Sequence, residues 1–335
     1  MKKKEKKILV TGGTGFIGAH LTKNLLDLGY KVLVVDKLSL QGGIPFVNNK
    51  CKFLKGDITD LKIIKKIKSW KPQIIFHLAA QSAVETAYDN PKSDILTNSY
   101  GTYLISNLAK DLKIKKFIYT STVAIYGNNS KKGVNEKSKP NPESLYGISK
   151  LSGEMFAKQI LRKTNTQVII FRVFNTYGPG ENLNNLKKGM VSIFSSYVWK
   201  KKPIIVKGSL KRFRDLIFID DCVEILTKSL KIGFKKNFEI FNLSTGENYT
   251  VKKIIENILY AAKKSKRYPV KISKGTKDDS FGFHTSSVKL KKFFKFRPKY
   301  NLKSGLKKYF EWINLVPNNQ NILNFHPLNL NNKKK

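Results

Sequence analysis

Through the first half of the chain, short apolar runs alternate with stretches whose apolar residues recur at helical spacing. The runs at 8–11, 31–36, 52–55, 74–78, 117–120 and 168–173 are rich in Ile, Val and Phe, and polar or glycine residues close most of them. Between them, helical periods cover about 16–28, 59–69, 94–111 and 145–163. Strands separated by helix-length segments pair in parallel through crossover helices, so the pattern predicts an α/β fold with a doubly wound parallel sheet. After about 175 the rhythm breaks into turns rich in Gly, Pro and Asn, a short strand near 203–206, and helices near 189–200 and 251–264. This predicts a sheet domain over 1–174, a smaller mixed α/β lobe over 175–315 and a tail over 316–335, frayed after 330. The runs at 215–219 and 239–243 are strand-like again and are expected to return to the first sheet.

Composition narrows the possibilities. The chain has 335 residues, 41% of them hydrophobic, enough for a core and unlike a disordered chain. Cys51 and Cys222 have neither a CxxC spacing nor Cys/His neighbours, so no metal site or disulfide framework is expected, and a reducing cytoplasm is the expected home. The basic N-terminus is followed by too short an apolar run for a secretory leader, and no run is long enough to cross a membrane. The formal net charge is +41, which raises nucleic acid as a partner. The basic residues are scattered, however, and nearly all are lysine rather than arginine, the usual reader of base edges and phosphates. Nucleic acid is therefore not an expected partner, although the field favours anionic ligands.

Three motifs carry chemistry. TGGTGFIG at 11–18 follows a strand and opens a helix; Gly12, Gly15 and Gly18 allow a tight turn, close approach of a pyrophosphate, and close helix packing, with Phe16 and Ile17 in the first helical turn. The next strand ends at Asp36, where a carboxylate accepts hydrogen bonds from the ribose hydroxyls of NAD and repels the 2′-phosphate of NADP, although Lys37 beside it suits a phosphate. Tyr146 and Lys150, in YGISK, are one helical turn apart, so the ammonium is expected to lower the phenol's pKa and make a base. Ser121 and Thr122 end a strand at the carboxyl edge of the sheet, where one of them can hold the oxygen that Tyr146 deprotonates.

Together these motifs resemble the extended short-chain dehydrogenase/reductase family, in its NAD-dependent epimerase/dehydratase group, and within it the nucleotide-sugar 4-epimerases typified by UDP-glucose 4-epimerase. GDITD at 56–60, HLAA at 77–80, NSYGT at 98–102, TSTVAIYG at 120–127, FRVFNTYGPG at 171–180 and RDLIFIDD at 214–221 extend the resemblance over nearly the whole chain. It implies that Asp57 and Ile58 contact the adenine and that Leu78, Ala79 and Ala80 run along the cofactor, with Asn98 among the cofactor contacts. It implies Tyr146, Lys150 and Thr122 as the catalytic set, with Ser121 beside it, and Lys150 also on the nicotinamide ribose. Asn175 and Arg214 then hold a substrate diphosphate, the arginine by its fixed fork. The family also commonly pairs through the helices near 94–111 and 145–163, so a homodimer is expected.

The related 4,6-dehydratases and decarboxylating enzymes place carboxylates just after the threonine, where this chain has Val123 and Ala124. Neither residue moves a proton, so reversible oxidation at carbon 4 of a UDP-hexose, through a transient 4-keto sugar and with epimerisation as the outcome, is the favoured reaction. A 4-ketoreductase, a 4,6-dehydratase, an epimerase at another carbon, and, from a different class, a non-catalytic dinucleotide-binding regulator are the alternatives. Three departures bear on the substrate. Ser82 stands where the best-known 4-epimerases carry a lysine. TKDD at 276–279, with Asp279, replaces a common Arg-x-Gly-Asp and puts uridine in question. Phe283 falls at a position that gates N-acetylated sugars, and its bulk favours plain hexoses.

Overall fold

The computed structural model describes residues 6–39, 43–127, 133–234, 236–275, 281–282, 284–317 and 322–330. In chain order the first half holds β1 (Lys7–Thr11), α1 (Phe16–Asp27), β2 (Lys31–Asp36), β3 (Lys52–Lys55), α2 (Leu61–Trp70), β4 (Ile74–His77), α3 (Val84–Asp89), α4 (Pro91–Asp94), α5 (Gly101–Asp111), β5 (Lys116–Thr122), α6 (Leu145–Leu161) and β6 (Gln167–Val173). The second half holds β7 (Asn175–Tyr177), α7 (Met190–Trp199), β8 (Ile204–Lys207), β9 (Phe213–Phe218), α8 (Ile219–Lys228), β10 (Phe238–Leu243), β11 (Asn248–Thr250), α9 (Val251–Ala261), β12 (Val270–Ser273), α10 (Val288–Phe294), α11 (Leu302–Ile313) and α12 (Pro327–Leu330).

Seven strands form one sheet in the order β10-β6-β5-β4-β1-β2-β3, every pair parallel. Its residues alternate between two cores, as a two-sided strand requires. Ile8 and Val10 face the side packed by α1, α8 and α10, whereas Leu9 faces the side packed by α2, α5 and α6. The first core runs on without a break into α7, α9 and α11, so the lobe and one face of the sheet share a single apolar interior.

The order of the strands reverses at β1 and β4, and the crevice outside their carboxyl ends is where an open α/β sheet binds ligands. Of the two strands expected to return, β10 does, pairing with β6 at the sheet edge. β9 does not. It joins β7 in parallel and β11 antiparallel in a separate three-stranded sheet. β8 and β12 make a third, two-stranded sheet.

The single helix expected over 94–111 is interrupted. Between α4 and α5, residues Ile95–Tyr100 form a π-helical turn, a distortion that re-aims side chains. Beyond α11 the chain keeps packing: Trp199 Nε1 donates to the Val316 carbonyl at 2.8 Å, and the His326 ring stacks on Phe46 at 4.5 Å. Residues 316–317 and 322–328 are thus part of the fold, and 318–321 and those after 330 lie outside the described residues. No helix among the described residues is long and apolar enough to cross a membrane, and no cluster of His, Cys, Asp and Glu among them suits a metal ion.

Candidate active site

A cleft of about 970 Å³ opens along the carboxyl ends of β1, β2, β4, β5 and β6. Its floor is the glycine turn, and the three glycines do different work. Gly12 has φ +70°, and a Cβ there would lie 2.6 Å from the Ala79 amide nitrogen. A Cβ on Gly18 would lie 2.0 Å from the Gly12 carbonyl oxygen, so this glycine lets α1 lie on the turn. Gly15 has an unstrained φ of −70°, and the nearest atom to a Cβ there is 3.5 Å away. The fold does not need a glycine at 15. The room it leaves opens into the cleft at the N-terminus of α1, as close approach of a diphosphate requires.

At the end of β2 the Asp36 carboxylate is oriented by the Thr14 and Leu38 amides, at 3.1 and 2.8 Å, and it lines the cleft. Lys37 turns away to Asp57, at 3.3 Å. Burial pulls the Asp57 carboxyl up, but the Thr59 amide and hydroxyl together with Lys37 outweigh it and hold the group below its usual value. Asp57, Ile58, Leu78, Ala79, Ala80, Phe16 and Ile17 all line the same cleft. This set fits a dinucleotide: a diphosphate at the glycine turn, a ribose at Asp36 and a base against Asp57 and Ile58.

Across the cleft, Ser144 caps α6 by accepting from the Gly147 amide at 3.1 Å, which fixes the turn that carries Tyr146 and Lys150 to the cleft wall. Lys150 is 1% exposed, its ammonium 4.2 Å from the centre of the Tyr119 ring. Burial, partly opposed by Glu154 and Asp94, lowers its pKa to about 7. Burial also raises Tyr146 to about 12, against the pull of the Thr122 hydroxyl. The expectation that Lys150 draws the phenol's pKa down is therefore corrected, because desolvation dominates. By these values the proton that leaves near neutrality is the lysine's, and tyrosinate beside ammonium, a pair without net charge, is a tautomer of the state so formed.

Ser121 and Thr122 both line the cleft. Thr122 faces Tyr146, whereas the Ser121 hydroxyl is enclosed, with no hydrogen-bond partner among the described residues. Asn98 is not among the residues that line the cleft. It is fully buried, its amide joining Gln81, Asp94 and Ser149, and so ties the loop after β4 to α6. Asp279 and Phe283 lie outside the described residues.

The far wall comes from the lobe. Asn175 is held by the Asp215 carbonyl at 3.1 Å. Arg214 is propped on the carbonyls of Phe213 and Phe281, with Arg212 beside it, and burial lowers its pKa to about 10. Ser82 also lines the cleft and accepts a hydrogen bond from Lys188 Nζ at 2.7 Å. Sequence reading missed Lys188, Arg212, Glu181 and Tyr119. Arg212, two residues before Arg214 in the sequence and just outside β9, was open to inference from that spacing; Lys188 was not.

The NAD dependent epimerase/dehydratase family model matches residues 8–244. The chain belongs to this family. A member of the family is an NAD-dependent enzyme, and the glycine turn and Asp36 are where its cofactor fits. UDP-glucose 4-epimerase from Mycolicibacterium smegmatis is 30% identical over 246 residues, covering 72% of this chain and 77% of that protein. Human dTDP-D-glucose 4,6-dehydratase is 28% identical over 335 residues, covering 92% and 89%. Among solved structures, a UDP-glucose 4-epimerase from Thermotoga maritima, crystallised with UDP-glucose, superposes with a TM-score of 0.86 at 32% identity, over 92% of this chain and 99% of that one. The family thus includes both epimerases and dehydratases similar to this chain.

Proposed function

We propose that the protein epimerises a nucleotide-activated hexose at carbon 4 through a transient 4-keto sugar. The observation that carries this reading is the composition of the cleft wall around Tyr146: Lys150 one turn along the helix, Thr122 facing the phenol, and the aliphatic Val123 and Ala124 where elimination would need acid or base groups. Bound NAD supplies a hydride acceptor and donor. Tyr146 takes the proton of the 4-hydroxyl and later returns it, Thr122 orients that oxygen, and Lys150 compensates the tyrosinate. Arg214, Arg212 and Asn175 grip the diphosphate, so the sugar can turn over while the nucleotide stays held.

Mixing the purified protein with UDP-glucose, UDP-galactose or their UDP-, GDP-, CDP- and dTDP-linked counterparts, without added cofactor, tests the proposal. Interconversion of a 4-epimer pair is the expected result. Failure with every sugar nucleotide overturns it, stoichiometric consumption of NAD(P)H marks a 4-ketoreductase, and a 4-keto-6-deoxy product marks a dehydratase. We further infer a homodimer formed through the exposed faces of α5 and α6, and a cytoplasmic location suited to the free thiols of Cys51 and Cys222.

A further inference from the structure

Most of the lysines on the cleft wall already have carboxylate partners. Lys37 reaches Asp57, Lys187 reaches Asp89 at 2.6 Å, and Lys207 reaches Glu85 at 3.2 Å. Lys188 differs. It is half-buried on the cleft wall, and its ammonium hydrogen-bonds to an uncharged group, the Ser82 hydroxyl at 2.7 Å; among the described residues no carboxylate stands within ion-pair distance. The acid that acts on it, Glu181, is anchored by the Gly178 amide at 3.2 Å, and burial pushes that carboxyl up to about 7, which makes it an incomplete counter-ion.

An ammonium in a cleft without a matching carboxylate is costly to maintain unless a ligand brings the negative charge. Two anionic groups of the expected ligands have other holders: the cofactor diphosphate has the glycine turn, and the substrate diphosphate has Arg214 on β9 and Arg212 just before it. Lys188 stands instead near the catalytic pair, close enough for its charge to act on Lys150, and Ser82 fixes it there from the loop after β4. That is the end of the cleft where the sugar reacts, and the anion a hexose ring can itself carry is a carboxylate at carbon 6.

We propose that Lys188, positioned by Ser82, is the specificity-determining residue of the site, and that its ammonium pairs with a carboxylate on the sugar, so that nucleotide-activated hexuronic acids are preferred to neutral hexoses. The inference rests on the epimerase reading above but is tested apart from it. In the full-length, NAD-loaded protein, kcat/KM for UDP-glucuronate is expected to exceed that for UDP-glucose by about tenfold or more, the scale of one charge-assisted contact. Lys188→Gln should collapse this ratio by about tenfold, and Lys188→Arg, which keeps the charge, should retain it.

A wild-type ratio near or below one, or a ratio that Lys188→Gln leaves unaltered, overturns the proposal. If neither sugar turns over, calorimetric dissociation constants for the two nucleotide sugars decide the same question. An acid preference that Lys188→Gln removes upholds the role of Lys188 while sinking the epimerase reading. Equal affinities overturn the role of Lys188.

Discussion

The Arg172 guanidinium forks onto the Glu154 carboxylate, Nε to Oε1 at 3.1 Å and Nη2 to Oε2 at 2.8 Å, with both side chains almost wholly buried. The pair joins β6 to α6 one turn beyond Lys150, and its third donor, Nη1, reaches the Tyr126 hydroxyl, which in turn donates to Asn242 Oδ1 on β10. The helix carrying the catalytic pair is thereby pinned to two strands of the main sheet.

Removing one partner of such a buried pair leaves the other charged and desolvated. Glu154→Ala is expected to cost ~3–5 kcal/mol of stability, and the double variant Glu154→Leu/Arg172→Met should recover most of it. Thermal denaturation of the three proteins checks this; a double variant no better than the single one would show that packing, and not the uncompensated charge, sets the cost.

Gly15 and Gly18 separate binding from folding. Gly15→Ala has room within the protein and an allowed backbone, so it should keep the melting temperature while weakening NAD binding by about tenfold or more. Gly18→Ala must push against the Gly12 carbonyl and should lower the melting temperature itself. Calorimetric titration with NAD beside a thermal melt distinguishes the two, and equal loss of stability in both variants would contradict the assignment.

What the sequence made legible follows from range. The six parallel strands of the first half are written in local apolar runs, and the glycine turn, Asp36, Tyr146 and Lys150 are written in short spacings that one crossover unit brings together. β9 escaped because its apolar run looks the same whether it joins the main sheet or a lobe sheet; its partners β7 and β11 lie on either side of it in sequence. The burial of Asn98 was not legible because a motif position does not say which way a π-helical turn aims a side chain. The Ser82–Lys188 contact spans 106 residues and has no local signature. The pKa of Tyr146 was misjudged because spacing reports a neighbouring charge and not the depth of burial.

The catalytic pair should show itself in the pH profile. With Lys150 near 7 and Tyr146 near 12, the proton lost near neutrality is the lysine's and the base form, tyrosinate beside ammonium, is a tautomer of that singly deprotonated pair, so kcat is expected to be low in acid and to rise through about pH 7 to a plateau. Tyr146→Phe should reduce kcat by about 10²–10⁴-fold at every pH. Stability carries the same signature with a definite sign. The folded lysine's pKa lies below its ordinary 10.5, so between about 7 and 10.5 the unfolded chain binds more protons and stability from this group rises with pH. Lys150→Met should flatten that part of the curve of melting temperature against pH, and an unchanged curve would mean that the lysine is not desolvated.

The exposed faces of α5 and α6 carry the last prediction. Ile148 and Met155, 52% and 64% exposed and two turns apart on α6, lie on a patch with Phe156, whose ring meets Tyr103 of α5 at 5.5 Å edge to face. An apolar patch across two packed helices is a surface for a partner, and a second copy of the chain supplies a matching one. Against association stands the +41 charge on each copy, which salt screens over the short Debye length of concentrated electrolyte. Sedimentation should therefore find a dimer that tightens between about 0.05 and 0.5 M salt, the reverse of a contact held by ion pairs. Met155→Glu should give a monomer that keeps the fold and NAD binding. A wild-type protein that stays monomeric at high salt would mean that this patch serves some other partner.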